Sequence, residues 1–229
     1  VAVNGKKVVV KKLADGTPFI TLDGIERKLG QDDLMICNET APMCIAGVFG
    51  GLTSGVSEST TSLFIESACF NPVSVRKTSK LHTLKTDASF RFERGTDPEI
   101  TVVALKRAAM LIKDICGGTI SSDVVDIYPA PVQHTRISLN YDYVNRFVGQ
   151  DIPAEDIKVI LKGLEVVVLE ERADGLELEI PPFKVDVTGV ADVIEEVLRI
   201  YGYNRINAGE KLNSSISYHQ RPDREKLQN

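Results

Sequence analysis

The run Tyr128-Pro129-Ala130-Pro131 constrains this chain more than any other feature. Two prolines in four residues fix backbone angles and remove amide donors, so the segment reads as an extended link. The hydropathy pattern changes across it. Before it come short apolar runs set off by turn residues, with one clear helix. After it come helical periods around a hairpin. The expected fold class is α+β: a mixed-sheet domain over residues 1–129, then a small winged-helix-like domain over residues 130–207. Residues 208–229 are polar and read as a linker to a further domain. With 229 residues, 43% of them hydrophobic, there is material for both cores.

In the first domain, Val8–Val10, Pro18–Leu22, Leu34–Cys37, Ile45–Phe49 and Leu63–Phe70 read as strands, parted by turns such as Ala14-Asp15-Gly16 and Asp23-Gly24. A helix opens near Asp97, with Asp97 as cap, Pro98 in the first turn and Glu99 at the positive end of the dipole. Ile100, Val103, Ala104, Ala108, Leu111, Ile112 and Ile115 repeat at helical spacing, and Gly117-Gly118 ends it. In the second domain, Pro153-Ala154-Glu155-Asp156 opens a helix with Ile157, Ile160, Leu161 and Leu164 on one face. A hairpin of Glu165–Arg172 and Leu176–Ile180 turns at Ala173-Asp174-Gly175. Thr188 caps a last helix whose buried stripe is Val190, Val193, Ile194, Val197 and Leu198.

The formal net charge of −5 rules out a global basic field. A local basic patch on an acidic body still suffices for RNA. With 6% aromatic residues and no Trp, a platform that stacks many bases is not expected. Cys37, Cys44, Cys69 and Cys116 form no C-x-x-C pair, and no His completes a metal finger. They read as reduced thiols of a cytoplasmic protein, with Cys69 and Cys116 as small buried hydrophobes. No secretory leader and no stretch of membrane-spanning length occurs. The chain starts at Val1 without Met, as expected of a piece of something longer.

Four features bear on chemistry. Glu66 sits inside the apolar run Ser62–Phe70, where a carboxylate needs a partner or a purpose. It is either a strand residue reaching solvent or an Arg, or a pocket carboxylate that accepts from a ligand hydroxyl. The stretch Phe49-Gly50-Gly51-Leu52-Thr53-Ser54-Gly55 lacks a P-loop ending and taken alone reads as a turn. Thr86-Asp87-Ala88-Ser89, followed by Arg91 and Glu93 on one strand face, reads as an ion-paired loop or as a wall where a ligand passes closely. Asp192, Glu195 and Glu196 fall at i, i+3 and i+4 on a helix, with Asp186 nearby. Convergent carboxylates suit Mg²⁺, while Arg199 one turn on suits a solvated salt-bridged face. His82, His134 and His219 are scattered, and no protein nucleophile is apparent.

Four segments in order resemble the β subunit of bacterial phenylalanyl-tRNA synthetases. They are Ile45-Ala46-Gly47-Val48-Phe49-Gly50-Gly51 with Ser54-Gly55-Val56, then Ile65-Glu66-Ser67-Ala68-Cys69-Phe70, then Leu84–Ser89 with Arg91-Phe92-Glu93-Arg94-Gly95, and last Asp192–Val197 with Ile200-Tyr201-Gly202-Tyr203. The resemblance implies an editing domain followed by a small module. It implies hydrolysis of mischarged Tyr-tRNA(Phe) at a pocket of Glu66, Gly50, Thr86 and Ala88. It also implies Mg²⁺ at Asp186, Asp192, Glu195 and Glu196, at the contact with an α subunit in an α2β2 assembly. ATP would be a substrate of the full enzyme only, because the synthetic site lies on the α subunit. tRNA(Phe) is the implied nucleic-acid partner, with no membrane. A His-containing segment upstream of Val1 is implied to contribute to the pocket. Lys184 stands where the family usually has Arg, and gives up bidentate geometry. The rival expectation is a non-catalytic module that positions tRNA or the α subunit.

Overall fold

The computed structural model of the chain describes residues 3–207, so the linker expected at 208–229 lies outside the described residues. Contacts divide the chain into two units. The first holds the residues up to Ile137 together with Glu179–Gly189, and the second holds Ser138–Leu178 with the chain from Val190 onward.

The first unit is built on strands β1 (Val9–Lys12), β2 (Pro18–Ile20), β3 (Glu26–Lys28), β4 (Leu34–Cys37), β5 (Pro42–Ile45) and β6 (Phe49–Gly50). One sheet runs β1-β4-β5-β6, and every neighbouring pair in it is antiparallel. β2 and β3 form a separate hairpin, tied to the end of β6 by a bridge between Thr21 and Gly51. A side chain at Gly51 would run into the Met43 carbonyl and the Phe19 ring, so this close approach needs glycine. The helices of this unit are α1 (Pro72–Leu81), α2 (Asp87–Phe92) and α3 (Thr101–Cys116). The core collects Phe19, Leu29, Met35, Ile45, Val48, Phe70, Val75 and Leu84. Phe70 meets the edge of Phe92 at 5.0 Å between centroids.

Several expectations change here. The strand expected over Ile45–Phe49 is broken at Gly47, whose φ of +68° makes a turn between β5 and β6. Leu63–Phe70 forms no strand. An apolar run becomes a strand only where a neighbour offers a ladder, and β6 pairs with β5 alone. Only Phe70 of that run is buried, and Cys69 is exposed, as is Cys116 at the end of α3. The expected strand face of Arg91 and Glu93 is instead α2 and its C-terminal cap. Thr86 and Ser89 close a capping box there, and this local bonding fixes a helix whatever the alternation suggests. α1 has an equally local cause: the Asn71 side chain accepts from Ser74 N–H, and Pro72 suits the first turn.

α3 starts at Thr101, later than expected, because Asp97 Oδ1 accepts from Glu99 N–H in a turn ahead of it. Gly117, at φ +71°, ends it as expected. Its apolar stripe is open: Val103 is 62% and Ile115 79% exposed. Propensity and a glycine stop make the helix, while burial of its stripe requires a surface that the described residues do not supply.

The second unit uses β7 (Thr135–Asn140), α4 (Tyr141–Val148), α5 (Ala154–Gly163), β8 (Val167–Arg172), β9 (Gly175–Ile180) and α6 (Val190–Tyr201), with the first residues of β7 and the last of β9 counted in the first unit. β9 lies between β7 and β8. The expected helix, hairpin and last helix all form. Ile157 and Leu161 of α5, Leu176 and Leu178 of β9, and Val193, Ile194 and Val197 of α6 are buried. β7 and α4 lacked a strong pattern, and a local cap explains α4: the Asn140 side chain accepts from Tyr143 N–H. Among the described residues no helix is long and apolar enough to cross a membrane.

Candidate functional site

The β5–β6 hairpin gathers three of the four expected pocket positions. Cys44 of β5 pairs with Gly50 of β6. Glu66, from the irregular segment beside it, acts electrostatically on Cys44, whose thiol is pushed up to about 11 by burial first and the Glu66 charge second. Thr86 Oγ1 donates to the Val48 carbonyl at 2.6 Å, within the turn that joins the two strands. The fourth, Ala88, sits in the first turn of α2, exposed.

Glu66 itself has two faces. Its side chain is open to solvent, as one of the two sequence alternatives had it, though in an irregular segment and not a strand. Yet burial raises its carboxyl above the ordinary value. Both hold for a group with protein on one side and an opening on the other. Exposure decides whether a ligand can reach it, and the one-sided protein environment decides how costly its charge is.

Thr86 is less free than its sequence context suggests. Its hydroxyl donates to Val48 and accepts from Ser89 N–H at 3.0 Å, so it holds α2 against the hairpin and spares no hydrogen for a ligand. Leu22 was missed by the sequence reading. Its amide donates to the Gly50 carbonyl at 3.0 Å, and its side chain covers the space that a Cβ at Gly50 or Gly55 would need. Glycines at 50 and 55 were the only signal, and they do not name what approaches them. A cleft of about 360 Å³ elsewhere in this unit is lined by residues including Phe70, Arg94, His134 and Val185, and none of the four expected residues lines it.

A family model described as the B3/4 domain matches residues 2–117, and one described as the tRNA synthetase B5 domain matches residues 137–203. Among similar proteins, the phenylalanine–tRNA ligase β subunit of Bacteroides fragilis (strain YCH46) is 54% identical over 215 residues, 94% of this chain and 26% of that protein. That of Bacteroides thetaiotaomicron is 52% identical over 99% of this chain and 28% of its own length. The chain belongs to the phenylalanine–tRNA ligase β-subunit family. It spans about a quarter of the length of those relatives. A more distant relative in Salinibacter ruber, of the same description, is 39% identical over 99% of this chain and 27% of its own length. An N-terminal fragment of the phenylalanyl-tRNA synthetase β subunit from Pyrococcus horikoshii aligns with a TM-score of 0.46 and 14% identity, over 86% of this chain and 56% of that one; a likeness this slight carries no argument.

In this β-subunit piece, Glu66, Gly50, Thr86 and Ala88 all fall within the B3/4 match, and Asp186, Asp192, Glu195 and Glu196 within the B5 match. Asp192, Glu195 and Glu196 lie on α6, while Asp186 precedes it in a turn. Arg199 grips both oxygens of Glu196, at 2.9 and 3.0 Å from one guanidinium nitrogen. Among the described residues no three or more His, Cys, Asp or Glu are grouped closely enough to hold a metal ion. Asp192, Glu195 and Glu196 of α6 thus form no such group among themselves.

His134 supplies a further ionic feature of the first unit. Its Nε2 lies 2.9 Å from Glu99 Oε1, and its Nδ1 lies 3.3 Å from Glu179 Oε1. The Glu99 hydrogen bond first, then that of Glu179, raise its pKa above the ordinary 6.5. A raised imidazole favours the protonated form in the fold. The bridge is therefore complete below the ordinary value and fades as pH rises through the raised one. NMR titration of the ring is expected to give a midpoint above 6.5. A midpoint at or below that value would show that the two carboxylates do not bracket it in solution.

Proposed function

We propose that this piece of the β subunit carries a hydrolytic proofreading site that clears Tyr-tRNA(Phe). The observation that carries the reading is Glu66: an accessible, partly desolvated carboxylate close enough to act on Cys44, the strand partner of Gly50, in a chain whose relatives are phenylalanine–tRNA ligase β subunits. Physical chemistry explains the need. A pocket shaped for a benzene ring rejects an added hydroxyl poorly, whereas a site that must hydrogen-bond the hydroxyl rejects its absence well. A second site keyed to the phenol therefore removes tyrosine and spares phenylalanine.

In the proposed step Glu66 accepts the phenol hydrogen and orients the aminoacyl group. Gly50 keeps the wall low, and Ala88 offers a small side chain opposite. Water adds to the ester carbonyl, the acyl–oxygen bond breaks, and the proton ends on the ribose oxygen that leaves. Neighbouring substrate hydroxyls and fixed polar groups assist, and no protein nucleophile is used. The test is release of labelled tyrosine from Tyr-tRNA(Phe) by the assembled ligase. Retention of tyrosine, with the site otherwise intact, would leave a module that only positions tRNA.

The proposal extends to the partners: an α subunit in an α2β2 assembly, tRNA(Phe), ATP used at the α-subunit site, and a cytoplasmic setting. A magnesium ion at Asp186, Asp192, Glu195 and Glu196 belongs to it only as a site completed by the α subunit, and no step of hydrolysis runs through it. Asp192→Asn is expected to weaken magnesium-dependent pairing with the α subunit, read by analytical ultracentrifugation with and without chelator. Unchanged assembly would remove the metal from the proposal.

A further inference from the structure

The acidic balance of the chain hides one stretch of the opposite sign. Between Glu66 and Asp87 there is no Asp or Glu, but there are Arg76, Lys77, Lys80 and Lys85. α1 organises them. Its buried face is Val75, Thr78 and Ser79, and its outer face carries Arg76, Lys77 and Lys80, all exposed. Arg76 and Lys80 are four apart and Lys77 and Lys80 three apart, so like charges stack on one face. Like charges so placed destabilise an isolated helix. Among the described residues none of the four cations makes a salt bridge. Asp32 feels the Lys77 charge, but Lys12 holds it at 2.7 Å.

The position of this helix gives the charge a use. α1 follows the segment that carries Glu66 and precedes the residues Thr86 and Ala88, so along the chain the cations fall between the two halves of the proposed pocket. Its ten residues span about 15 Å, the length of a few phosphates. We propose that the outer face of α1 binds the phosphate backbone of RNA next to its aminoacylated end. This rests on the hydrolytic reading and adds the surface that steers the RNA to the pocket. The recognition is of charge spacing, without base contacts, and so is strongly salt-dependent.

The test is fluorescence anisotropy of labelled tRNA with the 229-residue chain at several salt concentrations. Arg76→Glu/Lys77→Glu/Lys80→Glu is expected to weaken binding about tenfold or more at low salt and to flatten the log–log salt slope by roughly 2. The milder Arg76→Gln/Lys77→Gln/Lys80→Gln variant is expected to flatten the slope similarly, and it serves if charge reversal disturbs folding, as judged by circular dichroism. Lys106→Glu/Arg107→Glu on α3 is expected to leave both unchanged. Unchanged affinity in the α1 variants, or equal loss in the α3 variant, overturns the proposal. So does polyglutamate displacing the RNA at equal charge, which would mark a surface for an acidic protein. Glu66→Gln separates the two ideas: it leaves RNA binding intact, so loss of hydrolysis without loss of binding supports both. Hydrolysis that ignores Glu66 while binding follows α1 sinks only the pocket reading.

Discussion

Glu66→Gln is expected to slow release of tyrosine from Tyr-tRNA(Phe) by about tenfold to a hundredfold, while the chain's thermal midpoint stays level or rises. The first half follows from hydrogen-bond strength. A bond from a phenol to a charged acceptor contributes roughly 1.5–3 kcal/mol, and the amide offers a weaker one. The second half follows from the sign of the pKa shift. Burial raises the Glu66 carboxyl in the fold. An acid shifted upward contributes stability below its ordinary value and loses it as pH rises through the raised one. Near neutral pH its charge therefore opposes folding, and an uncharged isostere removes that opposition. A group retained against stability is the signature of use. The measurements are tyrosine release by the assembled ligase and a melting curve of the same preparation. Wild-type release by the variant would refute the role given to Glu66. Lost release with a large drop in midpoint would make Glu66 a structural residue instead.

Which parts of this arrangement the sequence disclosed depends on how local their causes are. β4 matched its expected span, Leu34–Cys37, because a short β-rich run between turns has few alternatives. α5, the β8–β9 hairpin and α6 followed from period and turn chemistry. The misses have the opposite character. Leu63–Phe70 had the composition of a strand but no partner edge, and composition says nothing of partners. α2 was hidden because Thr86 and Ser89 impose a capping box on six residues too few to show a period. Gly47 interrupted an apolar run at a place where only the backbone angle reveals a turn. For the proposed site, Gly50, Glu66, Thr86 and Ala88 were singled out through family resemblance, not through spacing. Their relation to Cys44, Val48 and Leu22 was not legible at all, because antiparallel register decides it.

The largest stability effect is expected one residue away from a nearly silent one. Asp33 is 2% exposed and accepts three hydrogen bonds: from Thr78 Oγ1 at 2.7 Å, from Gly30 N–H at 2.8 Å, and from His82 Nε2 at 2.6 Å. His82, 8% exposed, in turn offers its carbonyl to Arg27 at 2.8 Å. This cluster fastens the β3–β4 turn to the end of α1. Asp33→Ala strips the acceptor from three groups at once, and two of the side chains left behind are buried. A buried donor left without its acceptor costs about 1–3 kcal/mol, and here more than one is left so. Domains hold only about 5–15 kcal/mol in total, so the variant should sit near the edge of folding. Asp32→Ala is the control. Its partner Lys12 is as close, at 2.7 Å, but both side chains are more than half exposed. Exposed pairs contribute little to stability, so this variant should unfold almost as the parent does. Urea titration of the two variants side by side measures the contrast. Equal midpoints would mean that water replaces the lost carboxylate at Asp33, and that α1 is held to the sheet by Val75 and its apolar neighbours alone.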